Sequence, residues 1–145
     1  MRLKLCVTLM ILAILITTGS SRVWAENNSL TFFFNDQKVS PEVKAIIKDD
    51  VKYVNLAFLA KYVHAVTDWN PSSGLLYLRF GKLSSKLNEN STEYELDNPW
   101  KNLDHAPFEQ DDQFWIPVEY LENLGITIKS EDQSQLNLGW ADNYL

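Results

Sequence analysis

The stretch "DDQFWIPVEYLENLG", Asp111 to Gly125, decides the reading of this chain because a loose copy of it, "DDVKYVNLAFLAKYVH", runs from Asp49 to His64. Each copy opens on an acidic pair suited to a tight turn, continues through an aromatic and β-branched step, and passes into a short apolar-periodic segment. In the first copy Leu56, Leu59, Ala60 and Val63 recur at helical spacing; in the second Val118, Leu121 and Leu124 do so. Asn55 starts the first helix as an N-cap or first-turn residue, and Pro117 suits the first helical position of the second. The exits are His64 and Gly125, both placed for a left-handed cap.

Working outward, "LTFFFNDQKVS" predicts strands over Leu30–Phe34 and at Lys38-Val39, joined at Asn35-Asp36. Ala45–Ile47 and Tyr53-Val54 flank the turn at Asp49-Asp50. After each helix another hairpin is expected: Ala65–Trp69 with Leu75–Phe80, and Ile126–Lys129 with Gln135–Gly139. Helices of two or three turns are marginal alone and need a sheet to pack on. The expected fold class is therefore α+β: two similar hairpin-helix-hairpin units sharing one core, with short helices packed on antiparallel sheet. The connector adds strands near Ser84–Leu87 and Glu93–Leu96, then a looser segment from Asn98-Pro99 that contains Trp100.

Residues 1–25, "MRLKLCVTLMILAILITTGSSRVWA", have the parts of a secretory signal. Arg2 and Lys4 precede an apolar run from Leu5 to Thr17, shorter than the roughly 20 residues that span a bilayer. Val23 and Ala25 occupy the −3 and −1 positions, so residues 26–145 are expected to form a single exported domain, secreted or wall-associated, with no membrane contact after cleavage. Arg22 near the cleavage site keeps an uncleaved anchor as the alternative.

Cys6 is the one cysteine of the chain and lies inside that leader, which leaves the exported part without disulfides, thiolate metal sites or a thiol nucleophile. Losing the leader removes three basic residues and no acid, so 13 basic and 19 acidic residues become ten and 19, a formal −9 against −6 for the whole chain. That charge disfavours nucleic acid as a partner.

The acidic pairs at Asp49-Asp50, Asp111-Asp112 and Glu131-Asp132 fall where turns are expected, and none has the spacing of a calcium loop. No Gly-x-Ser-x-Gly, phosphate loop or His-Glu-x-x-His occurs. With His64 read as a cap and His105 as a surface residue, no catalytic residue, metal ligand or cofactor is expected. A small wall-active hydrolase using Asp111 or Asp112 is the enzymatic alternative. Aromatic residues make up 12% of the chain. Trp69 and Trp115 are expected in the core, while Trp100, Trp140 and Tyr144 are the candidate ligand contacts.

The patterns "FFFNDQKV", "IIKDDVKYVNLAFLAKYVHAVTDWN" and "FEQDDQFWIPVEYLENLGITIKSED" resemble the copper amine oxidase N-terminal-like, or stalk, domain of exported bacterial proteins, over Leu30 to about Trp140. The resemblance rests most on Trp115-Ile116-Pro117-Val118 with Leu124-Gly125 and on Trp69-Asn70. The chain departs from the pattern at Asn55, where the family has Pro, at His64, where it has Gly, and at Ala57 and Glu119, where it has Arg. The resemblance implies an α+β stalk architecture and an exported location but no chemistry. In the oxidases copper and the modified tyrosine belong to a different, larger domain. The implied role is a non-catalytic interaction or spacer module that contacts an envelope protein or cell-wall glycan; a carbohydrate-binding module using exposed Trp is the alternative.

Overall fold

The computed structural model describes residues 29–142; the expected leader over 1–25 and the candidate contact Tyr144 lie outside them. Three Asx pairs set the register of three hairpins. Asn35 and Asp36 have φ of 50° and 63°, Asp49 and Asp50 51° and 63°, and Asp111 and Asp112 55° and 57°. Two consecutive left-handed residues define the type I′ turn whose twist matches that of paired strands. The first joins β1 (Thr31–Phe34) to β2 (Gln37–Lys38), the second β3 (Ala45–Lys48) to β4 (Val51–Asn55), and the third β10 (Phe108–Gln110) to β11 (Gln113–Pro117).

Helix α1 (Leu56–Lys61) follows β4, and helix α2 (Val118–Leu121) with a 3₁₀ turn over Glu122–Leu124 follows β11. Asn55 is the N-cap residue by backbone geometry, yet its side chain makes no capping bond. Pro117 is likewise a cap residue, one position before the helix proper. The buried face of α1 is Phe58 and Leu59, Val63 is buried just beyond its end, and Ala60 is exposed, contrary to expectation. At 3.6 residues per turn, position 60 lies about 150° from the midpoint between Phe58 and Leu59. Phe58 meets Phe32, Phe34 and Tyr62 at centroid distances of 5.2, 5.3 and 6.0 Å. The helices exit as expected, through His64 at φ 57° and Gly125 at φ 74°.

Strands β5 (Val66–Asn70), β6 (Leu75–Phe80), β7 (Leu83–Asn88), β8 (Glu93–Leu96) and β9 (Trp100–Asn102) follow α1, and β12 (Ile126–Glu131) and β13 (Gln135–Trp140) follow the 3₁₀ turn. They form three sheets, in the orders β12-β13-β1-β2, β10-β11-β4-β3 and β5-β6-β7-β8-β9. Among the described residues the fold is mostly sheet with two short helices. Two details depart from expectation. The segment after Pro99 is a strand, and β1 runs parallel to β13, from Thr31 opposite Gln135 to Phe34 opposite Leu138. The main core gathers the inner faces of all three sheets against the helices: Val54, Phe58, Leu76, Leu87, Ile116, Tyr120, Leu121, Leu136 and Leu138 are fully buried.

Candidate functional site

Alternation fixes the five-stranded sheet in its place. Leu76 and Leu78 of β6, Leu87 of β7, and Tyr94 and Leu96 of β8 point into the core. Their neighbours must therefore point outward, because successive strand residues face opposite sides. The pairing register aligns those neighbours across all five strands: Asp68 opposite Tyr77, Tyr77 opposite Lys86, Lys86 opposite Glu95, and Glu95 opposite Trp100. Val66, Arg79 and Ser84 form a second row beside it.

Trp100 reaches this row through a turn in which Asp97 and Asn98 both take positive φ, 49° and 81°, and the Leu96 N–H donates to the Pro99 carbonyl at 3.1 Å. It is 59% exposed, and Tyr77, three strands away, is 49% exposed. At a strand spacing near 4.8 Å the two aromatic residues stand about 14 Å apart. The Lys86 Nζ is 5.8 Å from the Tyr77 ring centroid, at the outer limit of a cation–π contact. A shallow depression of about 350 Å³, lined by Val66, Asp68, Tyr77, Arg79 and Ser84, adjoins a smaller one of about 150 Å³ that shares Tyr77 and Ser84 and adds Lys86 and Glu95.

The expected contacts are not brought together. Trp100 lies on this face. Trp140 belongs to the β13 sheet, half-buried between Phe34 at 5.8 Å and Phe80 at 5.9 Å. Trp115 is buried with Tyr53 and Phe108 on the other side of the β4–β11 sheet, where the Lys48 Nζ lies 3.6 Å over the Phe108 ring. Trp69 is half-buried against Phe114 at 4.4 Å. Tyr77 is the exposed aromatic residue on this face that sequence reading missed. Its signal was present in "LLYLRF", where Leu76, Leu78 and Phe80 on one face leave Tyr77 with Leu75 and Arg79 on the other.

The turn carboxylates have local occupations. An Asp111 oxygen accepts from the Gln110 amide at 3.3 Å, and the Asp112 N–H donates to the Glu109 carboxylate at 2.8 Å. Asp132 accepts from the Ser134 N–H at 2.6 Å and hydroxyl at 2.8 Å, which hold its pKa below the usual carboxylate range. The Lys61 ammonium beside Glu42 lowers that carboxyl in the same sense. Glu119 accepts the His105 backbone N–H at 2.8 Å and has its other oxygen 3.7 Å from His105 Nδ1, tying the connector to α2. Among the described residues no three His, Cys, Asp or Glu side chains converge as metal ligands.

The sequence matches the family described as Copper amine oxidase N-terminal domain, over residues 13–78 and 33–137. No curated protein and no solved structure matches it. The matched domain is an accessory, non-catalytic part of the oxidases. The matches run from residue 13 to residue 137 and take in the α1 and α2 segments with their preceding hairpins: the chain belongs to the copper amine oxidase N-terminal domain family.

Proposed function

We propose that this protein is a secreted, non-catalytic stalk-type module of the cell envelope that works by contact with a protein or wall polymer. The observation that carries this reading is the outward face of the five-stranded sheet, where two aromatic side chains stand exposed with charged groups between them. Two exposed aromatic rings held on one sheet face offer stacking area to a partner, and the charged groups between them offer hydrogen bonds. The apolar run from Leu5 to Thr17 and the small residues Val23 and Ala25 support export with a mature start at Glu26, and residues 26–145 as one domain.

In this reading the chain is also two related units. The segments β3-β4-α1-β5-β6 and β10-β11-α2-β12-β13 have the same element order, β4 pairs with β11, and α1 packs on β11 while α2 packs on β4. Each unit thereby covers apolar surface that the other leaves open.

Fractionating the producing cells and sequencing the N-terminus tests export. The reading expects a chain starting at Glu26 outside the cytoplasmic membrane; a soluble cytoplasmic chain that retains Met1 contradicts it. Incubation of the purified protein with envelope proteins and with purified peptidoglycan tests the contact role, with retention by at least one expected and retention by neither contradicting it.

A further inference from the structure

We infer that the gap between β1 and the loop 40–44 is a binding site for a phosphate group, with the Lys38 and Lys44 ammonium groups as its charge and the Ser29, Thr31 and Ser40 hydroxyls as further donors. The inference goes beyond the contact reading, because the gap is formed by other strands than the five-stranded sheet and stands or falls without it.

The gap follows from strand pairing. One edge of β1 is shared by two partners: the Phe32 carbonyl accepts the Val39 N–H at 3.1 Å, and the Leu30 N–H donates to the Ala45 carbonyl at 2.9 Å. Between Val39 and Ala45 the chain swings off that edge. Pro41 has no N–H to pair there, and the Val43 N–H closes a turn on the Ser40 carbonyl at 2.9 Å. What remains is a depression of about 320 Å³. Leu30, Phe32 and Ala45 are buried, and Ser29, Thr31 and Lys44 alternate with them and are exposed. Lys38 lies opposite Phe33, which puts it on the Thr31 side of the sheet.

Charge selects the ligand. Lys38 and Lys44 line the depression and, among the described residues, no carboxylate does, in a chain of 13 basic and 19 acidic residues. Among the described residues neither ammonium is paired with an acid, whereas Lys52, Lys61 and Lys129 each stand beside one. Glu42, the acid of the loop, is engaged by Lys61 and is not part of the lining. Two like charges left together without a counter-charge favour an anion between them. Lysine binds phosphate as a point charge, and hydroxyls add neutral donors to its oxygens. The Ser40 hydroxyl is buried with no partner in hydrogen-bonding geometry. Lys61 is the main cause of the lowered Glu42 pKa and that hydroxyl only a minor one, so a phosphate oxygen would supply the acceptor it lacks.

The walls are ordered before any ligand arrives. The Asn55 side chain holds the Lys44 N–H at 3.1 Å and the Glu42 carbonyl at 2.8 Å, and the Tyr62 hydroxyl accepts the Ser40 N–H at 2.9 Å. Binding therefore costs the freedom of two lysine side chains and little of the backbone.

The test is a titration of the isotope-labelled protein with inorganic phosphate, dimethyl phosphate and acetate, followed by amide chemical shifts, against sodium chloride at matched ionic strength. The inference expects saturable shifts at Thr31, Lys38 and Lys44 with phosphate that chloride does not reproduce, and acetate weaker by about fivefold. Lys38→Gln and Lys44→Gln should each weaken phosphate binding by about fivefold, as the loss of one charge some 4 Å from the ligand implies. Both lysines are exposed, so the variants should keep the fold. Lys82→Gln, with the same loss of charge at the turn between β6 and β7, should leave binding unchanged. Saturation by dimethyl phosphate as well supports a chain-borne phosphodiester as the source, and saturation by inorganic phosphate alone supports a free or terminal phosphate. Shifts that chloride reproduces, acetate binding as tight as phosphate, or phosphate binding that the Lys38 and Lys44 variants weaken no more than Lys82→Gln does overturn the inference.

Discussion

Asn55 shows how one side chain can hold three segments. It is fully buried; its Oδ1 accepts from the Lys44 N–H at 3.1 Å, and its Nδ2 donates to the Glu42 carbonyl at 2.8 Å and to Gln113 Oε1 at 3.1 Å. Its own N–H donates to the Lys44 carbonyl at 3.0 Å, a bond that the proline of the family pattern could not make. Replacement by alanine strands buried polar groups, so Asn55→Ala should lower unfolding free energy by about 3 kcal/mol in a urea titration. Tyr120 is the opposite case, a buried phenol with no hydrogen-bond partner for its hydroxyl. Burial pushes its pKa up to about 12, with the nearby Ser85 hydroxyl offsetting only part of the shift. The unfolded phenol loses its proton near pH 10 while the folded one keeps it, so stability is fully present below pH 10 and falls by roughly 2–3 kcal/mol as pH rises through 12. Tyr120→Phe should flatten that alkaline decline and leave stability at pH 7 unchanged or higher; Tyr53 and Tyr94, also raised by burial, account for what remains. That Asn55 begins a helix was legible in sequence. Its actual work was not, because Glu42 and Gln113 are distant along the chain and only the fold brings them to it.

The elements most legible in sequence are those with a local steric cause. The three Asx pairs predict hairpins because few other residues tolerate two successive left-handed conformations. The helix exits follow the same logic and allow a paired prediction. His64 bears the cost of φ 57° that Gly125 avoids at φ 74°. His64→Gly should therefore raise stability by about 1 kcal/mol, and Gly125→Ala should lower it by about 1–2 kcal/mol, both read from urea midpoints at constant slope. A destabilised His64→Gly would mean that the imidazole does more than close the helix. Strand β9 was hidden because Asn98-Pro99 reads as loop and all three residues of Trp100–Asn102 are exposed, which removes the alternation that identifies a strand. The parallel pairing of β1 with β13 leaves no local trace at all, since it joins segments from opposite ends of the described chain. Ala60 misled for a related reason: in a helix of six residues, spacing alone does not say which of two nearly equal faces meets the core.

On the scale of the whole molecule, the helices and two of the sheets are used mainly to enclose the core, and the five-stranded sheet turns one face to solvent. The row from Asp68 through Tyr77, Lys86 and Glu95 to Trp100 exists only once four strand registers are known, which is why Trp100 could be singled out in sequence and its companions could not. Trp69, Trp115 and Trp140 pack against other aromatic rings and serve as internal controls for any ligand that works through stacking. The central claim, that this face is the contact surface, is tested most directly by amide and indole N–H chemical shifts recorded while soluble peptidoglycan fragments are added to the isotope-labelled protein. The account predicts that the Trp100 indole signal and the backbone signals of Tyr77, Lys86 and Glu95 move together in a saturable way while the indoles of Trp69, Trp115 and Trp140 stay in place. Saturable shifts confined to other surfaces, or no shifts at any fragment concentration, would contradict it.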